Sequence, residues 1–189
     1  MIYQVSNPSG IDVQIQKFQT WLYGQLNKVW NIKDDSFDFY GKIYRNAIKG
    51  GKWVPEAFVS SLNPQNTVYK EVIFDQTNNS VLCFIFPETK REEKDGQIVV
   101  KVGFYFIINT QKILNLPWRP SEEIRQDLYK LFIQGRYNFK FLSSESDYKK
   151  IFAEFDGWLI DEMLQYYCIA PFLILRIDTE LTYNIYDTN

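Results

Sequence analysis

The sequence predicts an α+β fold, a mostly antiparallel sheet of about five strands with two to three helices packed on one face. Three observations carry that expectation. Ile11, Ile15, Phe18, Leu22, Leu26 and Val29 recur at steps of four or three, the spacing of one helix face. Ile124, Leu128, Leu131 and Phe132 form a second stripe of that kind. Between and after them lie short runs rich in aromatic and β-branched residues, the composition of strands.

In chain order, the first helix spans Ile11 to Trp30, and Ser9 with Asp12 resembles a capping box at its start. NIKDD breaks it, and FDFYGKIYRNA follows as a β-prone run. Residues 48–66 hold Gly50, Gly51, Pro55 and Pro64 and read as a long surface connection carrying Trp53 and Phe58. TVYKEVIFD and NSVLCFIFP are two strand-like runs joined by QTNN, which predicts a β-hairpin. ETKREEKDGQ, Glu88 to Gln97, is the most charged segment and reads as a solvated loop. IVVKVGFYFIIN is apolar on both faces and is expected at the centre of the sheet.

Ser121 caps the second helix, and Glu122 and Glu123 meet the positive end of its dipole. Gly135 ends it. SESDYKKIFAEF fits a short helix with Tyr148, Phe152 and Phe155 facing inward. FLILRIDTELTYNIYD alternates from Leu173 onward and predicts a long, half-exposed last strand.

A chain of 189 residues is the size of one domain, so 1–189 is expected to fold as a single unit. Aromatic residues make up 17% of it, an excess that favours a contact-rich protein, since Tyr, Trp and Phe are enriched in interfaces. A net charge of −2 with no basic block argues against a domain that grips nucleic acid by neutralising phosphates. The absence of histidine removes Ser-His-Asp and Cys-His catalysis and every histidine-ligated metal. Cys83 and Cys168 stand alone in apolar runs and read as buried thiols in a reducing compartment. MIYQVSNPSG has neither the charged nor the apolar region of a secretion signal, and no membrane-spanning stretch occurs, so a soluble cytosolic product is expected.

Three constellations bear on chemistry. Asp75, with Glu88 and Lys90 following in ETK, has a spacing that PD-(D/E)xK nucleases allow, two carboxylates for a divalent metal and a lysine beside the attacking water. Glu88 and Lys90 follow Pro87 in a charge run, which favours a solvated segment over a metal site. Arg119, Glu122, Glu123, Arg125 and Asp127 crowd a helix start, where acids usually serve the dipole. Glu122 can pair with Gln126, whereas Glu123 and Asp127 are like-charged and invite an external cation. GGKW lacks the longer frame of a phosphate-binding loop. No catalytic residue, metal or cofactor is assigned.

The order of elements, with YGKIYRN, YKEVIFD and VGFYFIINTQKI running toward EEIRQDLYKL and a final FLILRIDTELTYNIYD, resembles head-to-tail joining and tail-terminator proteins of tailed bacteriophages. More narrowly, it is similar to neck or tail-completion proteins of phages that infect Bacteroidetes, including the crAss-like group. The resemblance implies a tail-terminator-like fold and a non-catalytic virion protein, assembled in the host cytoplasm. It also implies rings of six or twelve copies that bridge portal or adaptor to tail and let DNA pass without specific binding or any membrane. Expected contact residues are Trp53, Phe58, Trp118, Arg119, Glu122 and Glu123, with Trp118 and Arg119 as an exposed docking corner. Glu88, Lys90, Arg91, Glu92, Glu93, Lys94 and Asp95 are expected to face the channel or a neighbouring ring. The alternatives are the metal-dependent nuclease and a small non-catalytic binding module of a mobile element.

Overall fold

The computed structural model describes residues 1–32, 34–49, 52–59, 68–75, 77–114, 121–153, 171–184 and 186. Among them the chain runs α1 (Ile11–Trp30), β1 (Phe37–Lys49), β2 (Lys52–Val59), β3 (Val68–Glu71), β4 (Val81–Lys94) and β5 (Gln97–Asn109). It continues through α2 (Thr110–Leu114), α3 (Ser121–Ile133), β6 (Phe139–Glu145), α4 (Tyr148–Ile151) and β7 (Phe172–Tyr183). The fold is α+β, and the described strands form one mixed sheet of seven in the order β3-β2-β1-β4-β5-β7-β6.

That sheet is larger and less uniformly antiparallel than the sequence predicts. β1 runs parallel to β4, from Phe37↔Val81 to Lys42↔Ile85, and every other neighbouring pair is antiparallel. Part of the expected connection over 48–66 is strand: β2 pairs back onto β1 from Lys49↔Lys52 to Ile43↔Ala57. Its glycines and Pro55 read as a loop by composition, yet the segment pairs with the strand directly before it. β6 was hidden for a similar reason, since FKFLSSE is short and polar and its pairing partner β7 lies far along the chain.

The hairpin expected between TVYKEVIFD and NSVLCFIFP does not form. β3 pairs with β2, from Val59↔Val68 to Glu56↔Glu71, while β4 lands on the far side of β1. The turn between them is built by Asp75, whose carboxylate accepts from the backbone N–H of Thr77 (2.8 Å) and of Asn78 (3.3 Å). Val72 and Phe74, on the way into that turn, bury themselves in the core instead of continuing a ladder.

Helix α1 has the predicted bounds, and Ile11, Ile15, Phe18, Leu22 and Leu26 are buried, with Trp30 closing the stripe in place of the exposed Val29. The capping box does not form. Gly10, at φ 54°, holds the cap position without a side-chain bond, and Asp12 pairs with Lys42 of β1 at 2.6 Å. α3 buries Ile124, Leu128, Leu131 and Phe132 as the periodicity requires, and Gly135 follows it in the left-handed conformation (φ 61°) that a helix end favours.

α1 and α3 pack on one face of the sheet. There the ring of Phe18 lies 5.1 Å from Phe104, 5.3 Å from Phe132 and 4.5 Å from Phe139, so helix, central strand and edge strand meet in one aromatic cluster. α4 takes the opposite face, which corrects the expectation that the helices share one side. Ile151 and Phe152 join Tyr40, Val72, Phe74, Phe84, Tyr105 and Ile174 in a second buried cluster. Tyr148 and Phe155 of the predicted short helix have side chains outside the described residues. With apolar groups on both faces, the adjoining stretches of β4 and β5 need the unbroken apolar runs seen in VLCFIF and FYFII.

Candidate interaction surface: a charged arm and two open sheet edges

Gly41 decides where the sheet opens. β1 follows β4, bulges between Phe39 and Lys42, makes its last pair there at Lys42↔Ile85, and takes β2 as its partner from Ile43 onward. Gly41 sits in that bulge at φ 65°, and a Cβ there would meet Tyr3 O and Gln19 Nε2, each at 3.3 Å. The Gln19 amide occupies this corner because it donates to Tyr3 O (3.1 Å) and Phe39 O (2.8 Å), tying helix α1 to the backbone of β1.

Once β1 has turned away, no described strand pairs with β4 beyond Ile85 on that side. β4 nonetheless continues to Lys94, held only by β5, whose ladder runs from Pro87↔Val102 past a bulge to Arg91↔Val100 and Lys94↔Gln97. The charged segment expected as a loop is therefore an extended arm. Asp95 (φ 53°) and Gly96 (φ 79°) make its two-residue turn, as Asp-Gly does in tight hairpins, and Glu93 secures it by accepting from Gly96 N–H at 2.7 Å. Lys90 and Glu92 pair across the exposed arm surface at 2.7 Å. That hydrogen bond, followed by the attraction of the two charges, raises the lysine pKa and lowers the carboxylate's.

The other end of the same half-sheet is β6, the last strand in the order, which among the described residues pairs with β7 alone. It is seated on α3 by the Tyr129 and Ser144 hydroxyls, 2.6 Å apart. Leu142 is its extra residue, between Phe141↔Thr179 and Ser143↔Asp178. Ile133, Tyr137 and Leu142 are exposed around it, and a groove of about 340 Å³ runs beside Ile133, Gly135, Asn138, Phe139, Lys140 and Phe141.

Cross-strand rows tie the two edges together. One row reads Lys101↔Glu180↔Lys140, alternating in charge across β5, β7 and β6. Another reads Phe84↔Tyr105↔Arg176↔Glu145. In it the rings of Phe84 and Tyr105 stack at 4.8 Å, and the Arg176 guanidinium lies 5.4 Å from the Tyr105 ring while bonding Asp178 at 2.6 Å. Glu145 accepts from Ser146 and Asp147 N–H, both at 2.8 Å, and these bonds hold its carboxyl below the usual range.

Comparison with protein-family models, curated proteins and solved structures gives no match.

The remaining sequence-predicted residues fall in several places. Trp118 and Arg119 lie outside the described residues, and Trp53 is on β2 with its side chain outside them. Phe58 is half-buried and packs edge-on against Tyr69 at 5.2 Å. Glu122 is exposed and accepts from Gln126 at 3.2 Å, as its spacing predicts, while Glu123 is exposed beside it. Asp127 has its partner within the chain, because Trp30 Nε1 donates to it at 3.1 Å across the α1–α3 contact.

Asp75 and Glu88 are not brought together. Asp75 sits in the turn before β4, and its carboxyl is held low first by the Asn78 side chain and then by turn N–H groups. Glu88 is seven residues beyond Val81, where β4 begins. At about 3.3 Å per strand residue the two acids are on the order of 20 Å apart, far beyond the reach of one metal. Among the described residues no three Cys, Asp or Glu side chains gather as ligands. Nor is any described helix long and apolar enough to cross a membrane.

Sequence reasoning missed two features. A polar groove of about 540 Å³ at the opposite end of β4 is lined by Asn31, Asp35, Ser36, Thr77, Ser80 and Lys112. Lys112 fixes its wall by donating to Thr77 O (2.7 Å) and Asn79 O (3.3 Å). The second is a tyrosine pair at the rim of β1. Tyr3 stacks on Tyr40 at 4.6 Å, donates its hydroxyl to Asp38 (3.2 Å) and accepts from Lys70 Nζ (2.6 Å). Burial first, then the Asp38 charge, pushes both tyrosine hydroxyls well above their ordinary pKa. Neither had a local motif to announce it.

Proposed function

We propose that this protein is a ring-forming structural subunit of a tailed-phage particle, set on the neck and tail axis between portal or adaptor and tail. The observation that carries the reading is the half-sheet β4-β5-β7-β6, which among the described residues ends in two unlike unpaired edges and projects a charged arm beyond its core. Two unlike surfaces that fit one another generate head-to-tail contacts, and such contacts close into rings when the rotation allows. The aromatic content and the resemblance of the element order support the same reading.

The arm residues suit a DNA conduit. Glu88, Glu92, Glu93 and Asp95 outnumber Lys90, Arg91 and Lys94, so a ring of these arms repels phosphate slightly and lets DNA slide. In this reading the protein is a passive channel element in six or twelve copies, and its partners are itself and the portal, adaptor or tail proteins above and below.

Native mass spectrometry and negative-stain imaging of the purified chain test the proposal. Rings of a fixed copy number, with the protein located by antibody at the neck of the particle, are the expected result. A chain that stays monomeric and is absent from particles overturns it. So does Mg²⁺-dependent cleavage of plasmid DNA that is lost in Glu88→Ala.

A further inference from the structure

We propose that the corner between α1 and β1 is a binding site for one water molecule, held by the amide oxygen of Gln19 and the Asp12–Lys42 ion pair in the space that Gly41 leaves. The site is independent of any ring and belongs to the chain itself.

The Gln19 side chain carries the idea. It is fully buried on α1, and its amide donates to Tyr3 O at 3.1 Å and to Phe39 O at 2.8 Å. Carbonyl oxygens only accept, so the end of the amide that lies between them is the nitrogen, and Oε1 is fixed on the other side. Among the described residues no group donates to that oxygen. A buried amide oxygen without a donor is strongly disfavoured, so the folded chain calls for a donor at this point. An apolar occupant, or one that only accepts, would not answer it.

The space fits a small donor. A cavity of about 10 Å³ reaches Gln19 and Gly41, with Tyr3, Tyr40, Asp12 and Lys42 also on its walls. That is the lower limit of the room one water needs, and it is too small for an organic ligand. Gly41 keeps the space open. A Cβ at this position would stand 3.4 Å from Gln19 Oε1, covering the oxygen with a group that donates nothing.

The other walls supply the remaining partners. Asp12 and Gln19 lie seven residues apart on α1, two turns along one helix face. Asp12 pairs with Lys42 at 2.6 Å, and both side chains are largely shielded from solvent. A water seated here donates one hydrogen to Gln19 Oε1 and the other to the Asp12 carboxylate, and it accepts from the Lys42 ammonium. Two to four such partners are what hold a buried water in place. A monovalent cation would also satisfy the oxygens, but it would bring a second positive charge against Lys42, and neutral water avoids that repulsion. The bound molecule then joins α1 to β1 at the corner where β1 exchanges β4 for β2.

A crystal structure of the full chain that resolves ordered solvent tests the proposal, together with NMR cross-relaxation between water and the Gly41 amide proton. One water within about 3 Å of Gln19 Oε1, and a cross-peak from a long-lived water, are the expected results. Gly41→Ala is expected to lose both. Gly96→Ala serves as the control, because Gly96 is also left-handed (φ 79°) but has nothing within 4 Å of its Cβ position, so it shares the backbone strain without touching the site. That variant is expected to keep the water.

A parent chain with no water on Gln19 Oε1 overturns the proposal, and so does one in which the Lys42 ammonium or a cation bonds that oxygen instead. A water that Gly41→Ala leaves in place overturns the part given to Gly41. If Gly41→Ala does not fold, the parent chain decides the matter alone.

Discussion

At the residue scale, the corner at Gly41 concentrates more of the fold than any motif in the sequence. Its positive φ strains any other residue, and Tyr3 O and Gln19 Nε2, each 3.3 Å from where a Cβ would stand, would have to give by a few tenths of an ångström. Gly41→Ala is expected to cost about 1–2 kcal/mol, the strain of a left-handed non-glycine residue, read from chemical denaturation midpoints. Gly24, inside α1 with open space around it, provides the contrast. Gly24→Ala is expected to stabilise by about 0.5–1 kcal/mol, because alanine is the better helix former.

The tyrosine pair sets an alkaline limit. Folding holds the Tyr3 and Tyr40 hydroxyls above their ordinary value, which favours their protonated form in the native state. Their contribution is complete below the unfolded tyrosine pKa of about 10 and is lost as pH rises from there through the raised folded value. Thermal midpoints should therefore fall steeply above pH of about 10, and Tyr3→Phe should make that fall shallower. An unchanged slope in the variant would remove Tyr3 from the account.

At the element scale, legibility followed the range of the interactions. α1 and α3 could be read from local periodicity because each buries a stripe generated by its own repeat, so the predicted stripes are buried except at Val29, where Trp30 takes its place. The central position of β5 was legible for the same reason, since a strand apolar on both faces has nowhere else to go. β6 and the destination of β4 depend on partners far away in sequence, whereas β2 pairs with the strand just before it and is obscured only by the glycines and prolines around it. No local pattern says that β3 will prefer β2, or that β1 and β4 will lie parallel.

The arm shows the converse error. Composition alone made Glu88 to Gln97 a solvated loop, yet Asp95-Gly96 is a strong hairpin signal and the β5 ladder extends the strand to Lys94. Replacing residues 88–97 with a short glycine turn is expected to leave the fold and its near-ultraviolet aromatic signal intact, because 89–97 are exposed. The same change is expected to abolish self-association, measured by sedimentation. Unfolding of the shortened chain would show that the arm supports the core instead.

At the scale of the whole molecule, the candidate surface was legible as chemistry and not as place. The charged residues of the arm and the aromatic excess stand out in the sequence, but which edges stay open is a property of strand order, which only the assembled sheet defines. The nuclease constellation fails on the same ground: Asp75 stays in the turn before β4, while Glu88 lies seven residues into that strand. Asp127, half of the like-charged pair that the sequence left in want of a cation, meets Trp30 across the helix contact and Lys130 on its own helix.

The position of β7 has a consequence for timing. β6 is made before β7 yet lies outside it, and among the described residues its ladder to the rest of the sheet runs through β7. On a ribosome, a nascent chain that has emitted β6 awaits Phe172 to Tyr183, which slot between β5 and β6. Until then the apolar strand β5 lacks its partner on that side, so a chain truncated before β7 would expose a long strand edge of the kind that templates aggregation.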